Sequence, residues 1–348
     1  MSTPNSPHSN VPRLDRLWNS FNTFTVVLLP FAALFAVASG IRRFLFRMGA
    51  LSTQRFSVPV VVVGNVTVGG TGKTPLVIWL SDYLVRRGWR PGIVSRGYGG
   101  AAQHWPQQVR ADSDPAVVGD EAVLLAARTG RPMCVGPDRP AAVEALLAHS
   151  DVDIVISDDG LQHYALARDI EIAVVDGARR LGNRLLLPAG PLREPASRLR
   201  HVDMVVVNGQ GRDGEFSMKI HQPGLRGLHG DALRPLAEFA DREVHAVAAI
   251  GNPRRFFDLL KRHRIRAIEH AFADHYAFRA EDLALQPDLP ILMTEKDAVK
   301  CRRLPCKDCW VVQVDAQPDA AFVHRLNQIL ERIVDGQKTA GYPRLPDL

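Results

Sequence analysis

The sequence has few cysteines and lacks internal repeats and low-complexity tracts. Only 4 of its 348 residues are cysteine, too few for a regular disulfide framework, and we expect a reducing, cytosolic compartment. Cys301, Cys306 and Cys309 are crowded together, but no second pair lies near Cys306 and Cys309, which disfavours a four-ligand zinc site. With 46% hydrophobic and 23% charged residues, the composition excludes a disordered or fibrous protein.

Charge is absent from residues 17–41, of which residues 24–38 are almost wholly apolar. The stretch predicts a membrane-associated helix. Its apolar core of about 15 to 17 residues is at or below the ~17 to 25 residues that span a bilayer, so a helix within one leaflet competes with a span. Arg42, Arg43 and Arg47 follow and favour the cytoplasmic, anionic leaflet. A cleaved signal peptide is a weaker alternative, because the sequence lacks a clear cleavage pattern. A buried helix of the soluble core is the other alternative.

After this helix, apolar β-branched runs alternate with helical patterns, which predicts βαβ units and a mostly parallel sheet. A change to Gly, Asp, Arg and Gln at residues 209–214 indicates a hinge. Helical patterns beyond it, including residues 320–334, predict a second, smaller α/β domain. The predicted parts are an N-terminal tail and membrane-associated helix in residues 1–50, a larger α/β core domain in residues 51–210, the smaller α/β domain in residues 211–336 and a loose tail in residues 337–348.

Residues 60–75 contain a strand, a Gly-rich loop and a helix start, the context that a phosphate-binding loop requires. The usual pattern begins with glycine, whereas Thr67 stands at that position here. Glycines let backbone N–H groups turn toward phosphate oxygens, Lys73 supplies a cation, and Thr74 can place its hydroxyl on Mg²⁺. The alternative, an ordinary strand-to-helix turn, is disfavoured by this context. The mostly parallel sheet of residues 51–210 is therefore predicted to be of the P-loop NTPase type.

Several polar residues elsewhere fit the same chemistry. Asp158 and Asp159 follow a predicted strand, where a phosphate-loop enzyme holds its metal, although Asp before Gly is also ordinary in turns. Asp120 opens a predicted helix and is either functional or a cap. His275 suits proton transfer, but loop histidines are usually just exposed. Residues 294–297, Thr-Glu-Lys-Asp, fit either a nucleotide contact or a capped helix start.

Together these segments resemble the tetraacyldisaccharide 4'-kinase family over most of the chain. The resemblance includes the N-terminal apolar helix and the ordered motifs at residues 64–75, 95–100 (Ser-Arg-Gly-Tyr-Gly-Gly), 119–121 (Gly-Asp-Glu), 158–163 (Asp-Asp-Gly-Leu-Gln-His), 190–194 (Gly-Pro-Leu-Arg-Glu), 274–276 (Asp-His-Tyr) and 294–297. It implies transfer of the γ-phosphate of ATP to the 4'-hydroxyl of a tetraacyldisaccharide 1-phosphate, a step of lipid A biosynthesis.

The resemblance also implies roles for single residues. ATP would be held by Thr67, Val68, Gly69, Gly70, Thr71, Gly72, Lys73 and Thr74, with Glu295 and Lys296. Mg²⁺ would be held by Thr74, Asp158 and Asp159. Catalysis would use Asp120, paired with His275 as a base, and Lys73. The substrate would be contacted by Asn65, Arg96, Tyr98, Gln162, His163, Arg193 and Glu194.

The same resemblance implies an enzyme of the bacterial inner membrane, and the arginines after the apolar stretch favour its cytoplasmic face. We expect a monomer. The formal net charge of +6 fits an anionic bilayer surface, and we expect no nucleic-acid partner. Three alternatives stay open at this point. They are a partitioning ATPase, although Val68 stands where such proteins carry a signature lysine, a GTP-dependent switch and a non-enzymatic membrane scaffold.

Overall fold

A computed structural model describes residues 18, 20–230 and 232–339 of the chain. The N-terminal tail up to residue 17 and the predicted loose tail beyond residue 339 lie outside the described residues. The chain forms two compact units. Of the described residues, the larger contains those in 18–221 and 315–339, and the smaller contains those in 222–314.

The larger unit is built on a nine-stranded sheet. Its strands are β1 (Val60–Gly64), β2 (Pro91–Ser95), β3 (Gln107–Gln108), β4 (Met133–Val135), β5 (Ile154–Asp158), β6 (Ile170–Asp176), β7 (Met204–Asn208), β8 (Phe216–His221) and β15 (Asp315–Pro318). Their order across the sheet is β15-β8-β7-β6-β1-β5-β2-β4-β3. All neighbours are parallel except β15 with β8 and β3 with β4. The prediction of a mostly parallel α/β sheet is therefore confirmed.

The helices of this unit are α1 (Thr23–Arg47), α2 (Lys73–Arg86), α3 (Pro115–Val118), α4 (Asp120–Thr129), α5 (Arg139–His149) and α9 (Ala320–Thr339), with a 3-10 helix at Ala196–His201. Strand β1 is buried along its whole length, as expected for a continuous apolar run covered on both faces. It pairs in parallel with both β5 and β6, so the loops that follow these three strands leave the same edge of the sheet.

The structure differs from the sequence-based domain assignment at the C-terminal helix and at the predicted hinge. Helix α9 belongs to the larger unit, because the Phe322 ring packs against Trp79 at 5.7 Å and Phe216 at 5.8 Å between centroids. The hydroxyl of Tyr83 donates to Asn327 at 2.6 Å. Residues 209–214 do not separate the units, because the strand that follows them, β8, continues the large sheet beside β7.

Helix α1 is 25 residues long and begins where the Asn22 side chain accepts a hydrogen bond from the Thr25 amide. It is long and apolar enough to cross a membrane by length and composition, and longer than the apolar core predicted from sequence. Most of its apolar side chains are exposed, with Thr25 and Ala32 its buried residues, which argues against a buried helix of the soluble core. The exposed set includes Val26, Val27, Phe31, Leu34, Val37, Ile41 and Phe44.

The smaller unit is also α/β. Its strands are β9 (Leu225–Gly227), β10 (Leu233–Arg234), β11 (Glu243–Ala248), β12 (Arg266–Ala271), β13 (Ile291–Thr294) and β14 (Cys309–Val312), in the order β10-β9-β14-β13-β11-β12. Its helices are α6 (Pro253–Arg262), α7 (Ala280–Leu283) and α8 (Glu295–Cys301), with a 3-10 helix at Leu236–Phe239. The sequence predicts no regular disulfide framework, but Cys306 and Cys309 are joined by a disulfide, while Cys301 is a buried thiol.

Candidate active site

The loop between β1 and α2 has the geometry of an anion site. The Gly69 and Gly72 φ angles of 91° and 99° are ones that favour glycine. The loop is held on one side by the Pro-rich segment, where Val68 N donates to Pro191 O at 2.9 Å and Arg193 N donates to Val66 O at 2.8 Å. Helix α2 then starts at Lys73, and its first-turn N–H groups lack partners within the helix. These free N–H groups and the helix dipole favour a bound phosphate.

Asp159 joins two cationic side chains at this loop. Lys73 Nζ lies 3.4 Å from Asp159 Oδ1, and Arg193 Nη1 lies 2.8 Å from Asp159 Oδ2. Burial raises the pKa of Asp159, but the charges of Lys73 and Arg193 outweigh it and lower this pKa to about 2. Asp159 is therefore an anion at neutral pH, and the two cations are held beside the loop.

Asp158, the last residue of β5, has the opposite environment. It is 2% exposed, its Oδ2 accepts a 3.4 Å hydrogen bond from Ser95 Oγ, and its Oδ1 has no hydrogen-bond partner among the described residues. Burial, followed by the charges of Glu121 and Asp159, raises the pKa of Asp158 to about 7. A bound cation stabilises the charged form of a carboxyl that is buried beside other carboxylates.

The polar side chains around Asp158 fit a Mg²⁺ site in which the protein supplies only a few of the ligands. Residues 18, 20–230 and 232–339 contain no group of three or more His, Cys, Asp and Glu side chains arranged to hold a metal ion. Mg²⁺ usually takes one or two carboxylates and completes its shell with water and phosphate oxygens. The unpartnered oxygen of Asp158, with Asp159 and the Thr74 hydroxyl at the start of α2, fits such a site.

Asp120 is 3% exposed and is the first residue of α4. The N-cap is Gly119, so Asp120 is not the capping residue, although its Oδ1 accepts a 2.8 Å hydrogen bond from the Glu121 amide. Gly119 has a φ of 92°, and a Cβ there would lie 2.5 Å from the Tyr98 carbonyl oxygen. The segment that carries Arg96 and Tyr98, whose side chains are exposed, therefore packs directly on the start of α4.

Three of the expected substrate residues form a hydrogen-bonded network behind the loop, in which Asn65 and Glu194 are buried and Gln162 is half-buried. Gln162 Nε2 donates to Glu194 Oε2 at 2.9 Å and to the Asn65 carbonyl at 3.0 Å. Glu194 is 2% exposed and also accepts from the Tyr164 hydroxyl. Asn65 is fully buried and donates to Gly69 O at 3.3 Å. In the structure Asn65, Gln162 and Glu194 support the phosphate loop.

His163 is uncharged at neutral pH, because burial, followed by the charges of Arg139 and Arg96, lowers its pKa to about 3. Arg139 itself is buried, and its guanidinium donates to the carbonyls of Gly136 at 2.9 Å and Asp158 at 3.1 Å. Burial lowers the pKa of Arg139 to about 10, against the raising effect of Asp158 and Asp159. His163 therefore offers a neutral imidazole in a region of positive charge.

In the smaller unit, the predicted residues meet at Asp274. Lys296 Nζ lies 3.4 Å from Asp274 Oδ1, and His275 Nε2 lies 3.8 Å from Asp274 Oδ2. Thr294 is the N-cap of α8 and accepts from the Asp297 amide, which agrees with the capped helix start. Glu295 is 7% exposed and accepts a 3.1 Å hydrogen bond from Val314 N, so its carboxylate already has a structural contact.

Sequence reasoning did not find five residues that touch this machinery, namely Ser95, Arg139, Tyr164, Arg179 and Asn208. For two of them a signal was present. Asn208 ends β7 and Arg179 follows β6, and the carboxyl ends of parallel strands are where such folds bind ligands.

Comparison with known proteins gives consistent matches over most of the chain. The family model described as tetraacyldisaccharide-1-P 4'-kinase matches residues 24–331. The tetraacyldisaccharide 4'-kinase of Nitrosococcus oceani is 53% identical over 317 residues, covering 91% of this chain and 94% of that protein. The enzyme of the same name from Pseudomonas aeruginosa is 47% identical over 325 residues, covering 92% and 98%.

The fold matches a solved structure as well. The crystal structure of LpxK from Aquifex aeolicus in complex with ATP superposes with a TM-score of 0.77 at 27% sequence identity. The match covers 89% of this chain and 99% of that one.

Proposed function

The chain belongs to the tetraacyldisaccharide-1-P 4'-kinase family, and from this premise we propose how its residues carry out the reaction. It is an ATP-dependent lipid kinase of lipid A biosynthesis, which transfers the γ-phosphate of ATP to the 4'-hydroxyl of a tetraacyldisaccharide 1-phosphate. The observation that supports the proposed site is the meeting of Lys73, Asp159 and Arg193 at the phosphate loop, with Asp158 beside them.

In this proposal, the backbone of residues 67–72 cradles the ATP phosphates, and Lys73 neutralises charge on the transferred group. Mg²⁺, when bound, would be held by Asp158, Asp159 and Thr74 and would supply positive charge against the phosphate that is transferred. Lys73 is then shared between Asp159 and the phosphates. The contact with Asp159 keeps the Lys73 ammonium at the loop before ATP binds.

Asp120 is proposed as the base that takes the proton of the 4'-hydroxyl. It stands at the start of α4, next to the segment with Arg96 and Tyr98, and its pairing with His275 stays a prediction. Asp120→Asn should lower kcat by about 100-fold or more while sparing ATP binding, because general-base groups contribute about 10² to 10⁴ in rate. An equal loss of ATP affinity would mean that Asp120 has a structural role.

The pairing can be tested with a double-mutant cycle. If the two side chains act as a unit, Asp120→Asn combined with His275→Gln should cost no more than Asp120→Asn alone. Additive losses in kcat would contradict the pairing. His270→Gln in the smaller unit is a control that leaves Asp274, His275 and Lys296 intact.

Arg96, Tyr98, His163 and Arg193 are proposed to contact the disaccharide headgroup. Asn65, Gln162 and Glu194 are proposed to act on the substrate through the loop and its neighbours. Gln162 donates to the Glu194 carboxylate and to the Asn65 carbonyl, and the Asn65 side chain donates to Gly69 O in the loop. Lys296 is the proposed nucleotide contact of the smaller unit. Glu295 is the second proposed nucleotide contact there, and its carboxylate also accepts a hydrogen bond from Val314 N.

We further propose that the protein works as a monomer on the cytoplasmic face of the bacterial inner membrane. The exposed apolar side chains of α1 would enter the lipid, and Arg42, Arg43 and Arg47 would meet anionic headgroups. Sedimentation with vesicles tests this, comparing wild type with Phe31→Glu/Leu34→Glu. Binding by the double variant equal to wild type, or no difference between anionic and zwitterionic vesicles, would count against the proposal.

The decisive assay follows labelled γ-phosphate from ATP to a tetraacyldisaccharide 1-phosphate in detergent. Wild type should label the lipid, and Lys73→Ala should reduce labelling by about 100-fold or more, since the lysine neutralises charge in the transition state. Arg55→Ala, which removes an exposed ion pair with Asp169, is the control and should retain wild-type activity. ATP hydrolysis without labelled lipid would contradict the proposed acceptor site.

A further inference from the structure

Three successive carbonyl groups of the phosphate loop accept hydrogen bonds from side chains. The bonds run from Asn65 Nδ2 to Gly69 O at 3.3 Å, from Arg179 Nη2 to Gly70 O at 2.7 Å and from Asn208 Nδ2 to Thr71 O at 3.2 Å. Two of the donors, Arg179 and Asn208, are distant from the loop in sequence and have no part in the catalytic roles proposed above.

The direction of a carbonyl group decides the direction of the next amide. In a trans peptide the C=O of one residue and the N–H of the following residue point in opposite directions. By holding the Gly70 carbonyl, Arg179 therefore orients the Thr71 N–H, and by holding the Thr71 carbonyl, Asn208 orients the Gly72 N–H. Backbone N–H groups at these loop positions are the groups that cradle phosphates.

The sheet holds both donors in place. Asn208 is the last residue of β7 and is paired in register with Asp176, the last residue of β6. Asp176 Oδ1 accepts a hydrogen bond from the Arg179 amide at 3.0 Å, and its Oδ2 lies 3.7 Å from Arg179 Nε. Both side chains are thus anchored at the carboxyl ends of the neighbouring strands β6 and β7, and they do not depend on a bound ligand for their position.

The loop glycines allow this close approach. A Cβ at Gly72 would lie 2.9 Å from Asn208 Nδ2, and a Cβ at Gly69 would lie 3.1 Å from Arg179 Nη1. The two side chains therefore pack directly on the turn that they hydrogen-bond.

We propose that Arg179 and Asn208 are positioning residues, which hold the Thr71 and Gly72 amides ready for the β-phosphate before the nucleotide binds. The proposal rests on the nucleotide-binding role of the loop and not on the lipid acceptor. Its test is therefore nucleotide binding, which can be measured even if the proposed acceptor site is wrong.

The test measures the Kd of ADP by calorimetry and that of AMP by competition, using the full-length protein in detergent. Arg179→Met and Asn208→Leu should each weaken ADP binding by about ten-fold, because a lost hydrogen bond leaves a loop carbonyl free to turn. AMP should bind as it does to wild type, since it has no β-phosphate. Arg179→Lys keeps the charge and one donor group, and should recover part of the ADP affinity.

Arg180→Met is the matched control, because this substitution removes the same charge one residue away. Arg180 pairs with Glu215 at 2.6 Å and not with the loop. An ADP affinity of Arg179→Met within two-fold of that control would overturn the proposal, and so would equal losses for ADP and AMP. If Arg179→Met does not fold, as judged by its unfolding transition, the uncharged Asn208→Leu change carries the same comparison of ADP with AMP.

Discussion

Asp158 and Asp159 are adjacent in the chain, yet their carboxyl groups occupy opposite environments. Asp159 lies 3.4 Å from Lys73 Nζ and 2.8 Å from Arg193 Nη1, whereas Asp158 is 2% exposed with Ser95 as its hydroxyl donor. The pKa of Asp159 is lowered to about 2 and that of Asp158 is raised to about 7. One carboxylate holds the cations, and the other is left with a free oxygen.

The raised pKa of Asp158 predicts how stability depends on pH without metal. The folded protein keeps this proton up to about pH 7, whereas the carboxyl ordinarily loses it near 3.8, so the folded state binds more protons in this window and loses stability as pH rises. Asp158→Asn removes that loss. In EDTA, the midpoint temperature of the variant should match wild type at pH 4 and exceed it by several degrees at pH 8. An equal difference in midpoint temperature at both pH values would contradict the prediction. Asp158→Asn should lose phosphate transfer whatever its effect on stability.

The lowered pKa of His163 gives the opposite sign. A histidine ordinarily takes a proton near 6.5, but folded His163 takes one only near pH 3, so the unfolded chain binds more protons between these values. Its contribution to stability is present above pH 6.5 and is lost as pH falls. In NMR spectra of labelled histidine, the His163 resonance, assigned with His163→Gln, should not move between pH 8 and pH 5. A titration centred near pH 6.5 would show that the pKa of His163 is not lowered in the folded protein.

Gly119→Ala tests how Asp120 is placed. The added Cβ meets the Tyr98 carbonyl at 2.5 Å and forces a side chain onto a φ of 92°. Turnover should fall by about ten-fold or more, because small displacements of a catalytic group are costly. Gly130→Ala, at a φ of 63° with nothing within 4 Å, is the control and should cost only ~1 to 2 kcal/mol with turnover preserved. Equal turnover in the two variants would mean that the start of α4 tolerates the shift.

Phe322→Ala tests the placement of α9 in the larger unit. The side chain is fully buried between Trp79 and Phe216, so its loss should destabilise that unit by ~3 to 5 kcal/mol. Hydrogen exchange followed by mass spectrometry should show faster exchange in β8 and β15, with β11 and β13 unchanged. Faster exchange confined to Gln222–Val314 would instead indicate that α9 packs on the smaller unit.

Features governed by local rules could be predicted from the sequence. Residues 60–74 specify a strand, a glycine turn and a helix start within one short segment, and the structure has β1, the loop and α2 in that order. The capped start of α8 at Thr294 is equally local. The long uncharged stretch predicted a helix with an apolar surface, and α1 has one.

The rest depended on contacts between residues far apart in the chain. Asn65, Gln162 and Glu194 were predicted only as substrate contacts, because nothing in their local sequence shows that Gln162 bonds the Asn65 carbonyl and the Glu194 carboxylate. Helix α9 has the same local pattern whichever sheet it covers, and aromatic packing on Trp79 places it. Local backbone preferences and apolar periodicity thus determined the elements and the phosphate loop. Which carboxyl is charged, and which side chains hold the loop, was decided by burial and long-range hydrogen bonds, which exist only once the strands are paired.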